Sequence, residues 1–83
     1  MIVAPLSKRL KKYLKDHLLE EKYKKQVSLL IESKNHSSLN IELLEPKSHG
    51  IYSFRIDRKY RALFFFHPDK QTIEILTITV HYK

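Results

Sequence analysis

The chain has 83 residues, 42% of them hydrophobic, with 16 Lys and Arg against 9 Asp and Glu and a formal charge of +7. That length holds one small domain spanning residues 1–83, and the apolar content exceeds that of a disordered basic tail. With no cysteine there is no disulfide, thiolate nucleophile or cysteine-based metal centre, which fits a reducing, cytoplasmic setting. The longest apolar run, Ala62 to Phe66, is far too short to span a bilayer. Met1 to Leu6 is too short, and too soon followed by Lys8 and Arg9, to be a signal peptide. The basic excess favours polyanionic partners such as nucleic acid or a ribonucleoprotein.

Ile2 to Ala4 reads as a short edge strand broken by Pro5. Ser7 is placed to cap a helix in which Leu6, Leu10, Tyr13, Leu14 and Leu18 fall on one face. Lys8, Lys11, Lys12 and Lys15 lie outside that stripe. A second helix carries Tyr23, Val27, Leu30 and Ile31 on one face, and the two are expected to form an antiparallel hairpin. Residues 1–34 hold nine basic side chains against four acidic ones, so the lysine load lies in the helical half.

Asn35 to Ser38 is a polar loop, after which the period changes from 3.6 to 2. Asn40 to Leu44 is a short extended stretch, and Glu45 to Gly50 a turn. Ile51 to Ile56, Tyr60 to Phe66 and Thr72 to Tyr82 have the aromatic and β-branched content of strands. Asp57-Arg58-Lys59 and His67 to Lys70 join them. The sum is an α+β fold of two layers, a helix hairpin on a three- to four-stranded antiparallel sheet. Alternation places Tyr52, Phe54, Ile56, Ala62, Phe64, Leu76, Ile78 and Val80 under the helices. Ser53, Arg55, Arg61, Thr77, Thr79 and His81 then share the open face, with Leu63 and Phe65 as its apolar floor.

A three-residue turn at 57–59 sets Arg55 opposite Arg61, and two facing guanidinium groups need an acid or a phosphate between them. Glu42 and Glu45 are the acids within reach. His81 stands near the carboxy terminus, where an imidazole can exchange protons near neutrality. His17, His36, His49 and His67 match no zinc spacing, so no metal and no cofactor are expected.

The segment Gly50-Ile51-Tyr52-Ser53-Phe54-Arg55-Ile56, followed by Tyr60-Arg61-Ala62-Leu63, resembles the RelE/ParE toxin superfamily. The terminal His81-Tyr82 pair resembles its YoeB branch. Ile51 to Phe54 stand where RelE carries strand lysines, and Thr79-Val80 precede the His-Tyr pair where YoeB-like chains have a basic residue. The resemblance implies the toxin of a type II toxin–antitoxin pair, a metal-independent endoribonuclease that cleaves messenger RNA on the ribosome and so inhibits translation. It implies Glu42 as general base, Arg61 on the phosphate, His81 as general acid and Tyr82 positioning a base. Arg55, Arg58, Lys59, Lys8, Lys11, Lys12 and Lys15 would meet RNA phosphates. The implied partners are an acidic antitoxin, in a hetero-oligomer, and the ribosome with its A-site message. The alternatives are a ParE-like inhibitor of DNA gyrase, for which Glu42 and His81 are dispensable, and a non-toxic basic nucleic-acid-binding module.

Overall fold

The Ser7 hydroxyl accepts the Leu10 N–H at 3.2 Å and starts α1, Lys8–Asp16. Leu10 and Leu14, one turn apart, are buried, while Lys8, Lys11, Lys12 and Lys15 are exposed. Computed as a structural model, the chain is described over residues 1–80. Leu18 lies in the tight turn to α2, Glu20–Glu32, with φ of 56° and 86% exposure. This corrects its assignment to the buried stripe: the helix ends two residues earlier, and Leu19 enters the core instead. Tyr23, Gln26 and Leu30 are the buried residues of α2, whereas Ile31 is 49% exposed, one residue round the helix from Leu30. Among the described residues no helix is long and apolar enough to cross a membrane.

Among the described residues the sheet has five strands in the order β1-β5-β4-β3-β2. They are β1 Ile2–Val3, β2 Glu42–Leu43, β3 Ile51–Arg55, β4 Tyr60–Phe66 and β5 Thr72–Val80. β2 to β5 pair antiparallel, while β1 adds to β5 in parallel, so the sheet is mixed and one strand larger than the upper expectation. Two-residue strands carry almost no periodicity, and β1 reaches its partner only after the whole helical layer has intervened.

Phe54 and Phe64 are fully buried against Leu10, Leu14, Leu19, Tyr23 and Leu30 of the helical half, with Ile73, Ile75 and Ile78 beside them. Leu76 departs from the expected alternation. Leu63 pairs with Thr77 and Phe64 with Ile75, leaving Leu76 in a bulge at 39% exposure. One extra residue reverses the facing of the strand on either side, so Ile73 and Ile75 point inward before it and Ile78 after it.

The β3–β4 turn is held by Asp57, whose carboxylate accepts the N–H groups of Lys59 and Tyr60, each at 2.8 Å, and Lys22 Nζ at 3.1 Å. Burial alone would raise this carboxyl, but those N–H groups and the Lys22 ammonium outweigh it and hold it below its ordinary 3.8. A folded-state value below the unfolded one gives stability that is complete above the unfolded value and is lost as pH falls through the folded one. Asp57→Asn is therefore expected to lower stability at neutral pH by about 1 kcal/mol and to flatten the acid limb below about pH 4. Urea titrations at neutral and acidic pH measure both; an acid limb as steep as the wild type's would remove Asp57 from the explanation.

Candidate functional site

Alternation along β4 turns Ala62 and Phe64 into the core and Arg61, Leu63 and Phe65 toward the opposite face. Arg61 pairs with Arg55 on one side and Thr79 on the other. The facing arginines nevertheless part company: Arg55 is exposed, whereas Arg61 is only 4% exposed. What covers Arg61 is the segment leading into β2. Asn40, with φ of 44°, presents its carbonyl to Arg61 Nη2. Glu42 follows, in register with Ser53.

Arg61 Nε donates to Ser53 Oγ at 2.8 Å, and Nη2 donates to the Ser53 carbonyl at 3.3 Å. Glu42 Oε1 lies 3.5 Å from Nη2, which makes Glu42 the acidic partner of Arg61. These contacts fix the plane of the guanidinium and use one of its edges. Nη1 is buried without a partner. Burial pushes the Arg61 guanidinium down from its usual value; Glu42 opposes that shift and Arg55 adds to it. A cavity of about 260 Å³ adjoins the side chain, lined by Glu42, Leu44, Ser53, Leu63, Thr79 and Val80. A desolvated cation with an unused donor beside a cavity is an arrangement suited to an anion.

The other expected site residues divide into groups. Arg58 and Lys59 are exposed on the β3–β4 turn, with Lys59 Nζ 5.4 Å from the centre of the Tyr60 ring. Lys8, Lys11, Lys12 and Lys15 lie on the outer surface of α1, across the sheet from Arg61, so they do not converge on its cavity. Lys12 pairs with Asp16 at 2.6 Å. His81 and Tyr82 lie outside the described residues. Among the described residues no three His, Cys, Asp or Glu side chains are grouped to hold a metal ion.

Three residues that support this region carried no sequence signal of chemistry. Ser53 looked like a small polar residue on an open strand, yet it is 1% exposed and supplies two of the acceptors for Arg61. Asn40 acts through its backbone. Gln26, buried on α2, donates to the carbonyls of Arg55 at 2.8 Å and Ser38 at 3.2 Å, tying the helix to the end of β3 and to the covering segment. Its position between Tyr23 and Leu30 on the inner stripe was the available clue.

Comparison with known proteins places this geometry in a structural class. No protein-family model and no curated protein sequence matches the chain. Among solved structures it is similar to a YoeB/ParE toxin from Agrobacterium tumefaciens, with a TM-score of 0.70 and 18% identity over 98% of this chain and 96% of that one. It is also similar to the YoeB dimer from Staphylococcus aureus, with a TM-score of 0.60 and 23% identity over 98% and 94% of the two chains. The YoeB–YefM complex from the same organism gives 0.58 and 23%, with the same coverage. The chain thus has an α+β fold of the YoeB/RelE type, closed by a fifth, parallel strand.

Proposed function

We propose that this chain is the toxin of a type II toxin–antitoxin pair, cutting messenger RNA on the ribosome without a metal. The observation that carries the reading is the buried Arg61 guanidinium, held on Ser53 and Asn40 with Nη1 unused, beside a cavity whose acidic wall is Glu42. The fold shared with YoeB and ParE toxins supports it. In this reaction the 2′-oxygen attacks phosphorus while Glu42 takes its proton. The bond from phosphorus to the 5′-oxygen breaks as His81 delivers a proton to the departing oxygen, leaving a cyclic phosphate and a 5′-hydroxyl. Arg61 faces the charge that accumulates on the phosphoryl oxygens, and Tyr82 positions a neighbouring base.

The reactive hydroxyl is the one that DNA lacks, which restricts cutting to RNA. Ribosomal docking supplies orientation, a contribution that a small, shallow site cannot make alone. Lys8, Lys11, Lys12, Lys15, Arg55, Arg58 and Lys59 provide the exposed cations for that docking. An acidic antitoxin engages the same charges in a hetero-oligomer, and by binding only the folded chain it stabilises it.

The test is a cleavage assay with purified ribosomes and a defined message, mapping cut sites for wild type, Glu42→Gln and His81→Ala. Each substitution is expected to slow cleavage by about 10²–10⁴-fold, the range for a lost general base or acid. Undiminished growth arrest in both variants, together with inhibited DNA supercoiling, would transfer the chain to the ParE-like reading.

A further inference from the structure

The open face of β4 continues past Arg61. Leu63 and Phe65 follow it on the same side, in register with Thr77 and Glu74 of β5. Four residues of strand put Phe65 about 13 Å from Arg61, with Leu63 between them. Phe65 stands apart from the other aromatic side chains of this end of the sheet. Tyr52, Phe64 and Phe66 pack together on the helical side, at centroid separations of 5.6, 5.5 and 5.9 Å. Phe65 has the His67 ring at 5.7 Å and a 32° tilt, and remains half-buried.

Around Phe65 runs an open groove of about 610 Å³ that reaches past the end of the sheet to Tyr52 and Phe66, with Ile51 and Leu76 as apolar walls and Lys34, His49 and Lys70 among its lining residues. Glu74 lies opposite Phe65, and its carboxylate is engaged by His67 Nε2 at 3.0 Å.

Resting on the ribonuclease reading above, we propose that Phe65 is a stacking platform for a base of single-stranded RNA whose backbone passes Arg61. The occupant follows from placement and charge. Phe65 lies on the same strand and the same face as Arg61, and the groove beside it is lined by the ammonium-bearing side chains of Lys34 and Lys70 as well as by its aromatic ring. Sequence-tolerant stacking on such a ring, combined with a cationic track for the backbone, is a general mode of single-strand recognition. This subsite would set which bases flanking the cut are tolerated, while Arg61 and Glu42 act at the phosphate.

The experiment measures binding of the full chain to two fluorescein-labelled strands of equal length: an oligoribonucleotide, and the same ribose-phosphate backbone without bases. Wild type is expected to prefer the strand with bases by about 5- to 150-fold, the equivalent of one stacked base. Phe65→Ala and Phe65→Leu should bring the two affinities together, while Phe65→Trp should keep the preference and show quenched tryptophan emission. Arg61→Ala should weaken both strands equally, so loss of phosphate binding is separable from loss of stacking. A preference unchanged in Phe65→Leu overturns the platform. So does a Phe65 variant that loses binding to an acidic, apolar-rich peptide while keeping the base preference, since the groove is then a peptide-docking surface.

Discussion

On the proposed ribonuclease function, Arg61→Ala is expected to lower cleavage of ribosome-bound message by about 10²–10³-fold, the usual loss when a donor aimed at developing negative charge is removed. The side chain is already oriented before any substrate arrives. Its Nε and Nη2 are held by Ser53, Asn40 and Glu42, so little reorganisation is needed as the charge builds. The variant should remain folded. It gives up hydrogen bonds, but it also relieves a desolvated charge with an unused donor, and these terms offset to within about 1–2 kcal/mol. Arg61→Lys should fail almost as badly, since a lone ammonium cannot hold Ser53 and Asn40 and still present a second edge. Cut-site mapping with thermal melts of both variants checks this; cleavage within threefold of wild type by a folded Arg61→Ala would remove Arg61 from the chemistry.

The second large effect is on stability. Phe54 is fully buried and touches both layers, with ring centroids 6.3 Å from Tyr23 on α2 and 5.8 Å from Phe64 on β4. Truncating such a ring leaves a cavity and typically costs about 3–5 kcal/mol. A chain of this length has roughly 4–12 kcal/mol in total, so Phe54→Ala should depress Tm by about 15–30 °C. Phe54→Leu, which refills most of the volume, should lose far less. Calorimetry on the two variants makes the comparison; a shift under about 5 °C for Phe54→Ala would show that this part of the core repacks freely.

Much of the fold was legible because burial leaves a period. Leu10 and Leu14 one turn apart, Tyr23 and Leu30 two turns apart, and the alternation of Phe54, Ala62 and Phe64 all predicted their final environments. The failures have local causes that periodicity does not register. Leu18 takes a left-handed turn where glycine is usual, so the stripe it seemed to extend had already ended. Leu76 sits in a bulge, and a single inserted residue defeats any reading by alternation. Ile31 lies one step beyond the inner face of α2.

The candidate site was legible by half. The Tyr60-Arg61 motif singled out the guanidinium, and the facing of Arg55 and Arg61 called for Glu42, Glu45 or a phosphate nearby; in the structure Glu42 pairs with Arg61. Alternation implied an open position for Arg61, and its burial was not legible. That depends on a chain segment arching over the strand face, fixed by the left-handed backbone of Asn40 and the pairing of β2, neither of which leaves a pattern. The acceptors on Ser53 and Asn40 went unseen for the same reason, since two of the three are backbone carbonyls.

The roof over Arg61 is secured at the sheet by the short β2–β3 ladder, Glu42 with Ser53 and Leu43 with Tyr52, extended by the Leu44 N–H donating to the Ile51 carbonyl at 2.8 Å. An edge ribbon so briefly attached is expected to open at lower free energy than the central strands, before the core is disturbed. Amide hydrogens of the 42–44 stretch should therefore exchange with deuterium much faster than those of β4. Detachment of that ribbon would bare the guanidinium while the remaining strands stay zipped. The readiness of the cation to meet an anion would then follow that fraying, and an edge substitution such as Leu43→Pro is expected to raise it without rebuilding the interior.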